Sequence, residues 1–543
     1  MRSNSAERPD RREPDSSASI PTDAAPITRR DFSRALGAAA LGLGSSLGDA
    51  DAWAAASPGS EESQPGGNAV VTEDLCFTPA TQLAAMLRAK KVSARELMQA
   101  HLAQIERVNP AVNAIVTLVA DRAMADAAAA DQELARGKPR GPLHGLPIAH
   151  KDLVATKGIR TTQGSPFYRD FVPDADAAII TLIRNAGALT VGKTNTPEFG
   201  AGSHTFNTVF GATKNPYDVT RSCGGSSGGA AVALACGMVP IADGSDTGGS
   251  LRNPAAFCNV VGFRPSPGRV SAGRSSWSPL STSGPMARSV ADVALFLSVL
   301  AAPDARSPTA LDDDPRRFAR RLDRSFKGSR VAWYTGLGGI PFEPEIRRVV
   351  DETRRVFTSL GCTVEDAEPD FTGVDEAFPT LRHLSYHSSY AAMAKERPDW
   401  IKDTIKWEIA EAERQTSADV ARALALQSRL YAQVQTFFTR HDYFVLPVTQ
   451  VEPFDVTIAY PTSVAGVPMP TYIDWMRSCW YVTLMANPAI SVPAGFTSSG
   501  LPVGLQIVGR RRDDWSVLQM AHAFEQATNH GLRRPPVVSR GRA

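Results

Sequence analysis

The chain has 543 residues, of which 43% are hydrophobic and 21% charged, the composition of an ordinary globular protein. Its net charge is +2 at pH 7 and its basic residues are scattered, which argues against a nucleic-acid partner. Nine histidines occur without an H-E-x-x-H motif and six cysteines without a C-x-x-C motif, so a zinc site is not expected. We expect neither a metal nor another cofactor.

Residues 1–56 differ in composition from the rest of the chain. The pair Arg29-Arg30 precedes a mild apolar stretch and an A-x-A site, with cleavage expected after Ala54 or Ala56. This pattern predicts a twin-arginine export signal with a disordered leader, and hence a periplasmic or extracellular protein. A cytoplasmic disordered tail is the alternative. The apolar stretch is too short for a membrane span, so we expect no stable membrane insertion after signal removal.

Helical and apolar stretches alternate along the rest of the chain. A linker is expected at 57–74, one folded domain at 75–535 and a flexible tail at 536–543. The alternation predicts an α/β protein, a single α/β/α domain with a mixed, largely parallel central sheet flanked by helices. The individual predictions are two helices within 78–108, the second opened by a Ser93–Glu96 capping box, helices at 118–136, 177–185 and 343–360, and strands at 146–153, 188–192 and 362–365.

Two glycine-serine motifs dominate the middle of the chain, at 224–229 and 244–250, with an alanine-rich helix and an apolar strand at 238–242 predicted between them. A helix is predicted at 251–261, so Ser250 lies where a strand passes into a helix. Free backbone N–H groups converge at such a junction and create positive potential, so Ser250 is predicted to be a nucleophile beside its own oxyanion hole. The oxyanion-hole donors are expected to be the N–H groups of Thr247, Gly248, Gly249 and Ser250.

Other interpretations of these motifs fit poorly. A flexible linker is disfavoured because ordered segments flank both motifs, and a phosphate-binding P-loop would need a lysine that follows neither. The G-x-S-x-G elbow of α/β-hydrolases is also absent at Ser250.

The pattern G-G-S-S-G-G followed by G-S-D-T-G-G-S-x-R resembles the amidase signature family, whose members cleave carboxamides with a Ser-Ser-Lys triad. Further family-like motifs are G-x-P-x-x-x-K-D at 145–152 and G-K-T-N-x-x-E-F at 192–199, and the resemblance covers about 75–530. It implies that Ser250 attacks the carbonyl, that Ser226 relays the proton, and that Lys151 is the base. It also implies a cis peptide bond before Ser226 and a supporting role for Ser227.

Chemistry adds conditions to these roles. Lys151 can be a base only when neutral, so burial must lower its pKa, and the apolar residues before it fit such a setting. The alternative is a surface lysine at a strand end. Asp246 and Arg252 are spaced for an ion pair that supports the loop between them, residues 247–250, called the oxyanion loop below. Recognition of substrate charge is the alternative. His204 is expected to be a pocket wall or to have no role, and the neighbours of Lys151, His150 and Asp152, are expected to be structural.

The region 370–480 departs from the family motifs and is charged, helical and aromatic. Segments inserted beside a rigid site usually determine specificity. Tyr472, Trp475, Met476 and Trp480 are therefore predicted to line the substrate pocket, although such a stripe also suits a core.

These observations predict an exported amidase that cleaves the C–N bond of a small-molecule amide to a carboxylic acid and ammonia or an amine. An esterase or a peptide-amide hydrolase on the same triad is the nearest alternative. A catalytic subunit like that of glutamyl-tRNA amidotransferase is disfavoured by the export signal. A non-catalytic binding protein is disfavoured because Lys151, Ser226 and Ser250 are all present. A second copy of the chain, in a homodimer, is the macromolecular partner expected.

Overall fold

The computed structural model describes residues 72–271 and 277–539, so the predicted export signal lies outside the described residues. One eleven-stranded sheet organises this part of the chain. Its strands are β1 (Ile115–Leu118), β2 (Pro147–Lys151), β3 (Leu189–Thr194), β4 (Ile241–Asp246), β5 (Val261–Arg264), β6 (Thr282–Ala287), β7 (Arg330–Trp333), β8 (Thr363–Asp366), β9 (Tyr443–Pro447), β10 (Ala489–Phe496) and β11 (Pro502–Gly509).

Helices surround this sheet. In chain order the α-helices of the described residues are α1 (Thr72–Phe77), α2 (Ala80–Arg88), α3 (Ala94–Val112), α4 (Ala120–Ala135), α5 (Ala178–Asn185), α6 (Gly228–Ala235), α7 (Arg252–Phe257), α8 (Val290–Leu300), α9 (Pro344–Glu352), α10 (Arg354–Ser359), α11 (Val374–Glu396), α12 (Asp403–Arg414), α13 (Ser417–Phe437), α14 (Arg477–Met485), α15 (Asp514–Thr528) and α16 (Pro536–Ser539). None of them is long and apolar enough to cross a membrane.

The sheet order is β1-β3-β2-β4-β6-β5-β10-β11-β9-β7-β8. The predicted α/β architecture with a mixed sheet is confirmed, but the sheet is less parallel than predicted. Four neighbouring pairs are parallel, among β2, β3 and β4 and among β7, β8 and β9, and six are antiparallel. One reason is that β10 and β11 follow each other without an intervening helix, and such a connection pairs strands antiparallel.

Most predicted helices and strands are present with small shifts, and the Ser93–Glu96 capping box at the start of α3 is confirmed. The helix predicted at 343–360 is divided into α9 and α10 at Thr353, whose hydroxyl donates to the Val350 carbonyl, a bond that bends helices. The helix predicted at 251–261 ends at Phe257, and Asn259 turns the chain with a φ of 56°. The strand predicted at 238–242 lies instead at Ile241–Asp246, because the glycine-containing segment after Ala242 pairs with β6.

The predicted flexible tail is wrong up to Ser539. Residues Pro536–Ser539 form α16, where Val538 is buried and its carbonyl accepts a hydrogen bond from Arg107. Residues 540–543 lie outside the described residues. At the other end, α1 begins at Thr72, inside the predicted linker.

Two segments that carry candidate catalytic residues lie at the ends of β2 and β4, the third and fourth strands from one side of the sheet. Lys151 is the last residue of β2 and Asp246 the last residue of β4, and these two strands are parallel neighbours. Their carboxyl ends therefore meet at one edge, where loops of α/β proteins commonly bind ligands. Helix α6 is buried along its whole length and packs so closely that a Cβ on Gly229 would lie 2.3 Å from the Asn195 nitrogen.

Candidate active site

The site is built around the amine of Lys151, whose side chain is completely buried. Its Nζ is within hydrogen-bond distance of the hydroxyl oxygens of Ser226 at 2.7 Å, Ser227 at 2.9 Å and Ser245 at 3.1 Å. Burial lowers the pKa of Lys151 from 10.5 to about 7, although the nearby carboxylates Asp246 and Asp243 act in the opposite direction. The alternative of a surface lysine is therefore wrong.

Sequence analysis missed Ser245 as a partner of Lys151. The signal was present in the second glycine-serine motif, where Ser245 directly precedes Asp246. Only the pairing of β2 beside β4 brings its hydroxyl to the lysine. Three hydroxyl groups, rather than two, therefore surround the amine.

The loop that carries Ser226 is held by Thr205. The Gly225–Ser226 peptide bond is cis, as the family resemblance implied. The Thr205 hydroxyl donates to the Gly224 carbonyl at 2.9 Å and accepts from the Gly228 N–H at 3.2 Å. A Cβ on Gly228 would lie 2.3 Å from that hydroxyl oxygen, so the motif needs glycine there because the loop and Thr205 approach so closely.

Ser250 lies between β4 and α7. A backbone hydrogen bond joins it to the loop that carries Ser226. The Ser227 N–H donates to the Ser250 carbonyl at 3.2 Å. Ser250 is 9% exposed, the most accessible of the three predicted catalytic residues. A substrate carbonyl can therefore reach its hydroxyl more readily than it can reach the other two side chains.

The predicted oxyanion hole needs one correction. The Gly249 N–H donates to the carboxylate of Asp246 at 3.0 Å, so it is engaged within the loop. The N–H groups of Thr247, Gly248 and Ser250 donate to no acceptor within the described residues. Gly249 itself has a φ of 109°, and a Cβ there would lie 2.5 Å from the Cys479 Cβ. Three N–H groups, not four, remain to bind a developing oxyanion.

The predicted pair of Asp246 and Arg252 is present and fully buried. Arg252 donates to both carboxylate oxygens, at 3.0 and 2.8 Å. Arg264, which sequence analysis did not select, donates to the Asp246 carbonyl at 2.6 Å. Burial alone would raise the pKa of Asp246, but Arg252 and Arg264 hold it below its ordinary value.

The remaining contacts of Arg252 decide between its two predicted roles. Its Nη1 donates to the Cys479 carbonyl at 2.9 Å and to Gln506 at 2.5 Å, and its Nη2 donates to Thr483 at 3.0 Å. Arg252 thus ties the oxyanion loop to α14 and β11. All three of its guanidinium nitrogens have protein partners, which favours the supporting role over recognition of substrate charge.

The histidines near the site have structural partners. His150 contacts Asp243 at 2.6 Å through Nδ1, and the other oxygen of Asp243 accepts the Lys151 N–H at 3.2 Å. His204 Nε2 donates to the Val456 carbonyl at 3.0 Å, and burial lowers its pKa to about 4. His204 is therefore a neutral part of the scaffold. Asp152 also has a structural role, since its carboxylate accepts from the Thr162 N–H.

The four predicted pocket residues divide into two groups. Met476 borders the oxyanion loop, with its Cε 3.7 Å from the position of a Cβ on Gly248, and the Tyr472 ring lies 3.5 Å from the corresponding position on Gly202. Trp475 instead packs on Phe257 and Phe454, and Trp480 stacks against Phe378 at 4.7 Å. Trp475 and Trp480 are core residues, which corrects their prediction as pocket walls.

Phe378 was missed by sequence analysis although its ring also lies 3.7 Å from the Gly248 Cβ position. It belongs to α11, which no family motif marks. The site thus combines a buried amine, hydroxyl groups in contact with it, and free backbone N–H groups beside an apolar wall. Acyl transfer by a serine hydrolase needs these three components.

Comparisons with known proteins agree with this class. The family model described as Amidase matches residues 96–518. An acylamidase of Rhodococcus erythropolis is 36% identical over 471 residues, covering 85% of this chain and 98% of the relative. A glutamyl-tRNA(Gln) amidotransferase subunit of Chromohalobacter salexigens is 36% identical over 480 residues, covering 84% of this chain and 97% of the relative.

Solved structures give the same answer. A bacterial aryl acylamidase of the amidase signature family superposes with a TM-score of 0.79 at 29% identity, covering 84% of this chain and 99% of that one. A 6-aminohexanoate cyclic dimer hydrolase superposes with a TM-score of 0.77 at 26% identity, covering 85% of this chain and 99% of that one. The chain belongs to the amidase signature family. It is an amide-hydrolysing enzyme.

Proposed function

We propose that this enzyme hydrolyses small-molecule carboxamides through an acyl-enzyme on Ser250, with Ser226 and Lys151 moving the protons. The supporting observation is the 2.7 Å hydrogen bond between the Ser226 hydroxyl and the buried amine of Lys151. A lysine with a pKa near 7 accepts a proton at neutral pH. Ser227 and Ser245 orient the amine towards Ser226.

In the acylation step the Ser250 Oγ attacks the amide carbon while its proton passes to Ser226, whose own proton passes to Lys151. The carbonyl oxygen becomes an oxyanion and accepts hydrogen bonds from Thr247, Gly248 and Ser250 N–H groups. When the C–N bond breaks, the leaving nitrogen takes a proton back along the same path. Water then cleaves the ester by the same proton route and releases the carboxylic acid.

The experiment is mass spectrometry of a quenched reaction with a chromogenic anilide or an activated ester. The acyl group should appear on the peptide that contains Ser250, and Ser250→Ala should abolish it. Ser226→Ala should retain slow acylation by activated esters, whose leaving groups need little protonation. Ser298→Ala, on α8, is the matched control and should react normally. An adduct on any other peptide would contradict the mechanism.

The substrate is proposed to be an acyl amide of a small amine. The acylamidase and aryl acylamidase relatives support this class, and so does the apolar wall of Phe378 and Met476 beside Gly248. The amidotransferase relatives favour a glutamyl-tRNA amidotransferase-like catalytic subunit as the second candidate. Comparing ammonia release from glutamine with amine release from a panel of anilides, aliphatic amides and esters separates these two and the esterase alternative.

We also propose export by the twin-arginine route to the periplasm or the extracellular side. Arg29-Arg30, the following apolar stretch and the A-x-A site support it. A homodimer stays a prediction, and light scattering of the purified protein tests it.

A further inference from the structure

One face of helix α11 borders the active site. Four of its residues follow one another at intervals of four, which places them on the same side of a helix. At one end, the Phe378 ring approaches Gly248 of the oxyanion loop. At the other end, Tyr390 stacks on Phe199 at 4.4 Å, beside the Ser226 loop. The four residues are Phe378, Arg382, Tyr386 and Tyr390.

Arg382 is the charged residue of this face and is 4% exposed. Its Nε donates to Glu408 at 2.6 Å, and its Nη2 donates to the hydroxyls of Tyr472 at 2.6 Å and Tyr386 at 3.1 Å. Its Nη1 donates to no acceptor within the described residues. A buried guanidinium therefore has one nitrogen left for a ligand.

The position of Arg382 relative to the reacting groups follows from its neighbours. Tyr472, which it contacts, lies against Gly202. Two residues earlier, the Cβ position of Gly200 is 3.4 Å from the Ser226 hydroxyl oxygen. Arg382 thus lies between the loop beside Ser226 and the oxyanion loop that Phe378 contacts.

The charge around Arg382 is balanced. Glu408 accepts hydrogen bonds from Arg382, from His383 at 2.5 Å and from Tyr472. Burial would raise the pKa of Glu408, but Arg382 and His383 hold it below its ordinary value, so it is an anion. A carboxylate bound at Arg382 would place a second negative charge beside Glu408, whereas an uncharged acceptor would not.

Building on the proposed function, we propose that Arg382 is a specificity-determining residue whose Nη1 binds an uncharged oxygen of the substrate, such as a second amide carbonyl. The preferred substrates are then amides with an apolar body and a second carbonyl group. Glu408 makes the same subsite reject a substrate that ends in a carboxylate.

Three substrates with the same scissile anilide test this proposal. One carries a distal amide carbonyl, one a methylene in its place, and one a distal carboxylate. The wild-type kcat/KM should be at least about 10-fold higher for the distal amide than for the methylene analogue, because a hydrogen bond to a charged donor is lost. The carboxylate substrate should be the poorest of the three.

Two variants separate recognition from folding. Glu408→Gln should raise kcat/KM for the carboxylate substrate by about 10-fold or more, because the opposing charge is gone. The double variant Arg382→Met with Glu408→Gln leaves no unpaired buried charge. In this double variant, kcat/KM for the distal-amide substrate should fall to nearly that for the methylene substrate, so that their ratio is close to 1. The matched control is Arg422→Met with Glu376→Gln, an exposed pair that also involves α11, which should leave every ratio unchanged.

The ratio of kcat/KM for the distal-amide substrate to kcat/KM for the methylene substrate is measured on the wild-type enzyme, so this test does not depend on whether a variant folds. A wild-type ratio near 1, with Ser250 acylated by the methylene substrate, would overturn the subsite and leave the proposed function standing. If the double variant still prefers the distal-amide substrate over the methylene substrate, the proposed subsite at Arg382 is also wrong. Failure of all three substrates to acylate Ser250 would instead overturn the proposed function.

Discussion

Activity is predicted to depend on the neutral fraction of Lys151. An ordinary lysine is neutral in about 0.03% of molecules at pH 7, whereas one with a pKa near 7 is neutral in about half of them. Burial lowers the pKa of Lys151 from 10.5 to about 7. The fraction of enzyme with a neutral Lys151 is therefore about 1,600-fold larger than it would be without burial.

The direction of the pH dependence follows from this shift. Below pH 7 the ammonium form accumulates and cannot accept a proton from Ser226. The logarithm of kcat/KM should fall with a slope of about 1 and reach about one hundredth of its plateau at pH 5. Because the amine contacts three hydroxyl groups, the midpoint belongs to the whole group of residues.

The assay is kcat/KM for a chromogenic anilide between pH 5 and 9. Lys151→Ala should remove the acid limb and leave a low rate that rises with hydroxide. Lys151→Arg should not restore activity, because a guanidinium keeps its proton in this range. Lys193→Met is the matched control, since Lys193 is a buried lysine on the neighbouring strand β3 whose Nζ contacts Thr156, and its removal should leave the midpoint in place.

Two results would exclude Lys151 as the base. An arginine variant with near wild-type turnover would show that Lys151 contributes only positive charge. An acid limb that persists in Lys151→Ala would assign the ionisation to another group. Either result would rule out the proposed proton transfer from Ser226 to Lys151.

Three further predictions concern stability, the oxyanion loop and export. Between pH 7 and 9.5 the unfolded chain binds the Lys151 proton more tightly than the folded protein, so the stability of Lys151→Met relative to wild type should fall by on the order of 3 kcal/mol over this range, as measured by urea unfolding. Gly249→Ala should lower kcat far more than it changes KM, because its Cβ would collide with Cys479 and displace the neighbouring oxyanion donors; unchanged kcat would contradict this. Arg29→Lys with Arg30→Lys should leave a full-length precursor in the cell, and trimmed enzyme outside, detected by immunoblot, would disprove the twin-arginine route.

Local sequence determined those features that depend on neighbours in the chain. The capping box of α3 forms because Ser93 and Glu96 are three residues apart on a helix start. The same holds for the ion pair of Asp246 and Arg252, which lie on either side of one tight loop. The glycine-serine motifs and the lysine motif likewise indicated the family and the three candidate catalytic residues, because their order and spacing are properties of the chain itself.

Tertiary structure decided whatever depends on burial and on contacts between distant segments. The pKa of Lys151 falls because packing removes its amine from water, and no spacing in the sequence measures that. The contact of Arg382 with Tyr472 joins residues 90 positions apart, and Arg264 approaches Asp246 only because their strands share a sheet. For the same reason the aromatic stripe around Trp475 could not be assigned from composition. An apolar side chain suits a core and a pocket equally, and only the completed packing shows which one it lines.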